Sequence, residues 1–158
     1  WSSDVCSSDL DTETRKNSIS YRTNLARLME QLIKEGKWKK AKKVIDLAMT
    51  QMPLEKFGYY TMLVPFAEGY YEVKETEKAR ALLTKLVKKY QETLTYYNTL
   101  KASEQNNLYV DIISDVERYR DLLNVMKEAN DVAFYTKNKA TFNSYVKMYE
   151  RFGRKIEK

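Results

Sequence analysis

The chain has 158 residues, with 28 Lys plus Arg against 22 Asp plus Glu, no histidine, one cysteine, 13 tyrosines, four glycines and two prolines. Without histidine there is no Ser-His-Asp or Cys-His nucleophile and no imidazole metal ligand, and one cysteine makes neither an internal disulfide nor a thiolate cluster. The longest apolar run is about five residues, around Leu63 to Ala67, against the roughly 18 of a membrane span; scarce Gly and Pro with abundant Lys, Glu, Leu and Ala point to an all-α, non-catalytic domain.

Residues Trp1–Leu10 have neither a basic nor an apolar signal-peptide region. Their string, WSSDVCSSDL, shows no helical or strand period and resembles translated sequencing-adapter read-through. On that reading Cys6 is not biological and the DxD-like Asp9-Leu10-Asp11 is set aside. The rest of the chain then carries 28 basic against 20 acidic residues, a charge of +8. The alternative is a natural disordered leader. A start at Trp1 fits a fragment or a processed product. Residues 1–16 are expected to be disordered and 17–156 to form one helical-repeat domain.

Helical periodicity begins near Ser20, where Leu25, Leu28, Leu32 and Ile33 form one stripe. Gly36 ends it as a left-handed cap. Ala41, Val44, Ile45 and Ala48 mark the next helix, with Pro53 just beyond. A second hairpin follows, with stripes Tyr60, Leu63, Phe66, Ala67, Tyr70 and Ala79, Leu82, Leu83, Leu86 flanking a polar turn at Lys74 to Thr76. Leu94 to Leu100 reads as a Tyr-rich connector. A long helix from about Asn107 to Ala129 and a last one from about Ala140 to Phe152 complete the pattern, and the chain closes on a basic tail after Gly153.

The hairpins fit the 34-residue tetratricopeptide register in part. Counting from Arg22, Leu25 falls at position 4, Leu28 at 7, Gly36 at 15, Ala41 at 20, Ile45 at 24, Ala48 at 27 and Pro53 at 32; Met29 stands at position 8, where a small residue is preferred. Counting from Tyr60, Leu63, Phe66, Ala67, Ala79 and Leu83 fall at 4, 7, 8, 20 and 24. Small residues at 8 and 20 let helix backbones approach closely. The third pair departs from the register and reads as a longer, divergent capping hairpin; a generic helix bundle is the alternative.

Tyr21-Arg-Thr-Asn-Leu-Ala-Arg-Leu28, the Gly36 turn, Met52-Pro53, Tyr59-Tyr60, Pro65-Phe-Ala-Glu-Gly-Tyr-Tyr71 and Tyr96-Tyr97 together resemble a known segment. It is the soluble, tetratricopeptide-like C-terminal region of a bacterial family of multi-pass membrane proteins similar to GT-C protein O-mannosyltransferases. The resemblance covers about Ser20 to Leu100 well and the remainder loosely. It implies an accessory domain whose catalytic partner is a membrane-embedded region upstream, held on the periplasmic side. No catalytic residue, metal site or cofactor carries over. The partners implied are a protein or peptide, among them the membrane region of the same parent chain. A stand-alone peptide-binding adaptor is the competing reading.

In a tetratricopeptide repeat the first helix of each pair lines a concave groove at positions 2, 5, 9 and 12. Here these are Thr23, Ala26, Glu30 and Ile33, then Thr61, Val64, Glu68 and Tyr71, with Arg27 and Lys34 beside the first set. The expected groove residues are therefore Arg27, Glu30, Lys34, Glu68 and Tyr71, a mixture without the dense basic clamp that captures a terminal carboxylate. Arg22 and Asn24 are read as fixing the start of the first helix.

Lys34, Lys37, Lys39, Lys40, Lys42 and Lys43 crowd ten residues. They form a solvated helix face, an attachment to anionic lipid headgroups, or, least favoured because no groove-reading or stacking motif accompanies them, a nucleic-acid contact. Among the tyrosine pairs, Tyr60 and Tyr70 belong to the apolar stripe while Tyr71 is offset by about 100°. It is read as packing, or as a surface for a peptide or glycan. Glu68/Glu72 and Asp111/Asp115 stand at helical spacing without a third acidic partner nearby and read as surface charge.

Overall fold

The computed structural model describes residues 12–155, and every regular element among them is helical. In order these are α1 (Thr12–Lys34), α2 (Trp38–Gln51), α3 (Leu54–Phe57), α4 (Val64–Glu72), α5 (Thr76–Thr99), α6 (Ala102–Asn107), α7 (Tyr109–Glu128) and α8 (Val132–Met148). 3-10 turns occupy Tyr60–Leu63 and Glu150–Lys155. The expected all-α class is what the chain adopts. Where one domain is expected over 17–156, the chain divides into two compact units, with the boundary between Ala79 and Arg80 inside α5.

Three connections use the same turn. Gly36, Lys74 and Asn130 are left-handed, with φ of 70°, 65° and 57°. The following N–H groups return to carbonyls of the preceding helix: Lys37 to Leu32 at 2.8 Å, Glu75 to Tyr70 at 2.8 Å and Asp131 to Met126 at 3.0 Å. A second bond runs from Gly36 to Ile33, Lys74 to Tyr71 and Asn130 to Lys127. This double closure satisfies carbonyls that a helix end leaves without partners. In each case the next helix begins two residues after the left-handed one.

In the first unit, α2 meets its partners through Ala41, Ile45 and Ala48, all 0% exposed. Ala79, at the start of α5, is also 0% exposed. α4 contributes Phe66, Ala67, Gly69 and Tyr70 to the core. On α1 the buried residues are Ser18, Arg22, Leu25, Ala26 and Met29. This corrects the expected stripe: Leu28 is 47% exposed while Met29 is 2% exposed, so the buried face of α1 keeps Leu25 but is rotated by about 50° towards Met29 at 100° per residue.

The helix also starts at Thr12, so residues 12–16, expected to be disordered, are helical. They carry Glu13 in the first turn, which suits the helix dipole, and the turn is mostly exposed, so it needs no apolar period. The expected leader over 1–11 lies outside the described residues.

In the second unit, α5 buries Leu82, Leu83, Leu86, Val87, Tyr90 and Leu94. Helix continues through the stretch read as a connector, because Leu94 is fully buried and Tyr149 donates its hydroxyl hydrogen bond to the Leu94 carbonyl. α7 packs Ile112, Val116, Tyr119, Leu122, Leu123, Val125 and Met126 inward. The Tyr119 ring stands edge-on to Phe142 of α8 at 4.9 Å, and its hydroxyl accepts from Gln91 at 2.8 Å. α8 starts at Val132, earlier than the expected Ala140, since the Asn130 turn closes α7 and Asp131 anchors the junction. There Arg80 forks onto both carboxylate oxygens, each at 2.8 Å.

Candidate functional site

The first unit holds all the expected groove residues. Arg27, Glu30 and Lys34 are exposed on α1, and Glu68 is exposed and Tyr71 half-buried on α4. At 100° per residue, Thr23, Arg27, Glu30 and Lys34 fall within about 60° of one another, well away from the Met29 face. Of the other expected groove positions, Ala26 is buried and Ile33 half-buried. α1 and α4 are neighbours through Met29 and Gly69. A β-carbon on Gly69 would stand 2.3 Å from the Met29 Sδ, so the absence of a side chain on Gly69 leaves room for the end of the Met29 side chain between the two helices.

Arg22, expected with Asn24 to fix the start of the first helix, instead lies in the middle of α1, which begins at Thr12. Its side chain is completely buried. Its Nη1 donates to the Gly58 carbonyl at 2.6 Å and its Nη2 to the Met52 carbonyl at 3.0 Å, while the guanidinium lies 5.7 Å from the Phe57 ring centre. Burial holds its pKa below the ordinary arginine value. The residue thus ties α1 to carbonyls on both sides of α3, and Nε has no partner among the described residues.

A polar cluster missed in the sequence joins α2, α4 and the start of α5. Asp46 accepts from the Tyr70 hydroxyl at 2.8 Å and from Lys78 Nζ at 2.8 and 3.0 Å. Burial alone favours the neutral carboxyl. The hydrogen bonds from Lys78 and Tyr70, with the charges of Lys78 and Lys42, outweigh it and hold Asp46 below the usual range. Burial and the Asp46 contact push the Tyr70 hydroxyl up. The signal was available: Asp46 is the lone acid in the α2 segment, five residues after the buried Ala41.

The lysine segment divides. Lys42 is ion-paired with Glu75, and Lys37 pairs with Glu35 at 2.5 Å. The bond from Lys37, followed by one from Gln31, holds the exposed Glu35 carboxyl below its ordinary value. Lys34, Lys39, Lys40 and Lys43 are exposed and have no ion pair among the described residues. Beside them stands Trp38, a residue the sequence reading did not single out, 48% exposed. Gly36, Lys37, Trp38, Lys39 and Lys40 line an open recess of about 370 Å³ at the α1–α2 turn. Lys37 is the N-cap of α2 without a side-chain cap bond, and the first turn holds no acid. Cations there oppose the helix dipole by about 0.3–1 kcal/mol each.

Glu68 and Glu72 are exposed, in keeping with surface charge, whereas the Asp115 side chain is only 14% exposed and meets Arg118 at 3.4 Å. No three acidic or thiol groups gather among the described residues, and no described helix is long and apolar enough to cross a membrane. Comparison with protein-family models, curated proteins and solved structures finds no match.

Proposed function

We propose that the chain is a non-catalytic, tetratricopeptide-like interaction domain, the C-terminal part of a membrane-embedded GT-C-like glycosyltransferase held on the periplasmic face. The observation that carries the repeat-type reading is the complete burial of Ala41 and Ala79. Both follow a left-handed turn residue by five positions, so one small-residue contact recurs after Gly36 and Lys74. The glycosyltransferase parentage rests on the sequence resemblance over about Ser20 to Leu100. Arg27, Glu30, Lys34, Glu68 and Tyr71 form the surface offered to a protein or peptide, and its mixed charge suits a polar segment over a terminal carboxylate. No cofactor or metal enters this reading, and nucleic acid is not a partner in it.

Two measurements test it. Sequencing the locus upstream of Ser20 should reveal an in-frame multi-pass membrane region; a start codon close to Ser20 would overturn the parentage and leave the stand-alone adaptor. A photo-crosslinking side chain placed at Tyr71 in the parent protein should capture the parent's own membrane region or a defined polypeptide. Crosslinks confined to lipid would remove the groove from the proposal.

A further inference from the structure

The α1–α2 hairpin tip combines an exposed aromatic with a dense cluster of lysines. Between residues 34 and 43 there are six lysines and one acid, Glu35, and Glu35 and Glu75 neutralise only Lys37 and Lys42. Side chains lean towards the N-terminus of their helix, so Trp38, Lys39 and Lys40 at the start of α2 lean towards the turn. Trp38 is half-exposed on the rim of the recess formed with Gly36, Lys37, Lys39 and Lys40. A tryptophan has an apolar body and one polar N–H, which suits the boundary between headgroups and acyl chains. Lysines on flexible stems reach anionic headgroups around it.

We propose that this tip docks on the surface of an anionic bilayer, with Trp38 entering the headgroup region and Lys39, Lys40 and Lys43 pairing with lipid phosphates. The charge complementarity selects this occupant. A nucleic acid would use a basic track with several stacking rings, whereas here one ring stands at the end of one hairpin. The inference does not rest on the glycosyltransferase parentage, since the tip would dock whatever precedes it in the gene.

The test uses the full chain as a Trp1→Phe variant, which leaves Trp38 as the only tryptophan. It is titrated with vesicles of one-third phosphatidylglycerol and two-thirds phosphatidylcholine, and with phosphatidylcholine alone. With anionic vesicles the Trp38 emission should shift to the blue and be quenched by lipids brominated on their acyl chains, and both effects should fade as salt rises. K39A/K40A/K43A should lower partitioning on the order of a hundredfold, from about fivefold per charge. W38A, which removes the reporter and is therefore read by co-sedimentation with the same vesicles, should bind more weakly with unchanged circular dichroism. K127A/K137A/K147A removes the same charge from exposed positions of the second unit and should have little effect. Unmoved Trp38 emission, equal losses in the two triple variants, or tighter binding to an oligonucleotide at matched salt would each overturn the proposal.

Discussion

Met29 fills the space that a β-carbon on Gly69 would need, its Sδ 2.3 Å and its Cε 3.1 Å from that position, with Ile45 Cδ1 at 3.1 Å on the other side. A large residue on the buried face of α1 is therefore matched by the absence of a side chain on α4. Gly69→Ala should gain up to about 1 kcal/mol in helix propensity and lose about 1–3 kcal/mol to overpacking, a net destabilisation. Met29→Ala should cost about 2–5 kcal/mol through its cavity. The double variant should lose less than the sum by at least about 0.5 kcal/mol. Strict additivity in urea unfolding would contradict the contact.

Arg22 donates to both the Met52 and the Gly58 carbonyls. Arg22→Met keeps much of the apolar stem but strips both carbonyls of a charged donor. The expected loss is about 2–3 kcal/mol, since bonds to charged groups are worth about 1.5–3 kcal/mol and some desolvation is recovered. Arg22→Lys should recover only part of it, because an ammonium lacks the planar fork. Thermal melts of the two variants decide the matter.

Ala41 and Ala79 test the close packing directly. Ala41→Leu and Ala79→Leu should each cost about 1–3 kcal/mol, whereas Leu28→Ser, on the exposed side of α1, should stay within about 0.5 kcal/mol. A costly Leu28→Ser would restore the stripe expected from the sequence.

Acid stability should carry two signatures of opposite sign. The folded-state pKa of Asp46 is depressed, so its contribution is present above the ordinary aspartate range near 4 and disappears as pH falls through the lower folded value. Asp46→Asn should therefore reduce stability at neutral pH by an amount typical of ion pairs, about 0.2–1 kcal/mol, and lower the melting point accordingly, with the gap closing in acid. Burial, with a smaller push from Asp111, raises the Asp115 carboxyl against the opposing pull of Arg118. Its ionised form is thus disfavoured by folding, and the penalty grows as pH rises from the unfolded value through the raised one. Asp115→Asn should raise the melting point at neutral pH and lose its effect in acid. Melting curves from pH 2 to 7 separate the two.

The legible parts of the site were those set by helical period. Exposure of Arg27, Glu30, Lys34 and Glu68 follows from their spacing against the apolar stripes. Trp38 was passed over because a tryptophan two residues after a Gly turn is equally compatible with packing, and only the fold shows that it stays 48% exposed. The partners of Lys37 and Lys42 divide similarly. Glu35 is a near neighbour in sequence, whereas Glu75 comes from the next turn along the fold.

From the sequence alone came the all-helical class, the Gly36 and Lys74 turns and the seating of Ala41 and Ala79, because periodicity and left-handed caps are local properties of a chain. Tertiary structure decided the rotation of α1 that buries Met29 in place of Leu28, the burial of Arg22, and the continuation of α5 through Leu94. Each of these depends on a surface brought from elsewhere: Gly69, the carbonyls of 52 and 58, and the hydroxyl of Tyr149. Where a helix offers two nearly equivalent apolar faces, the neighbour that fits chooses between them.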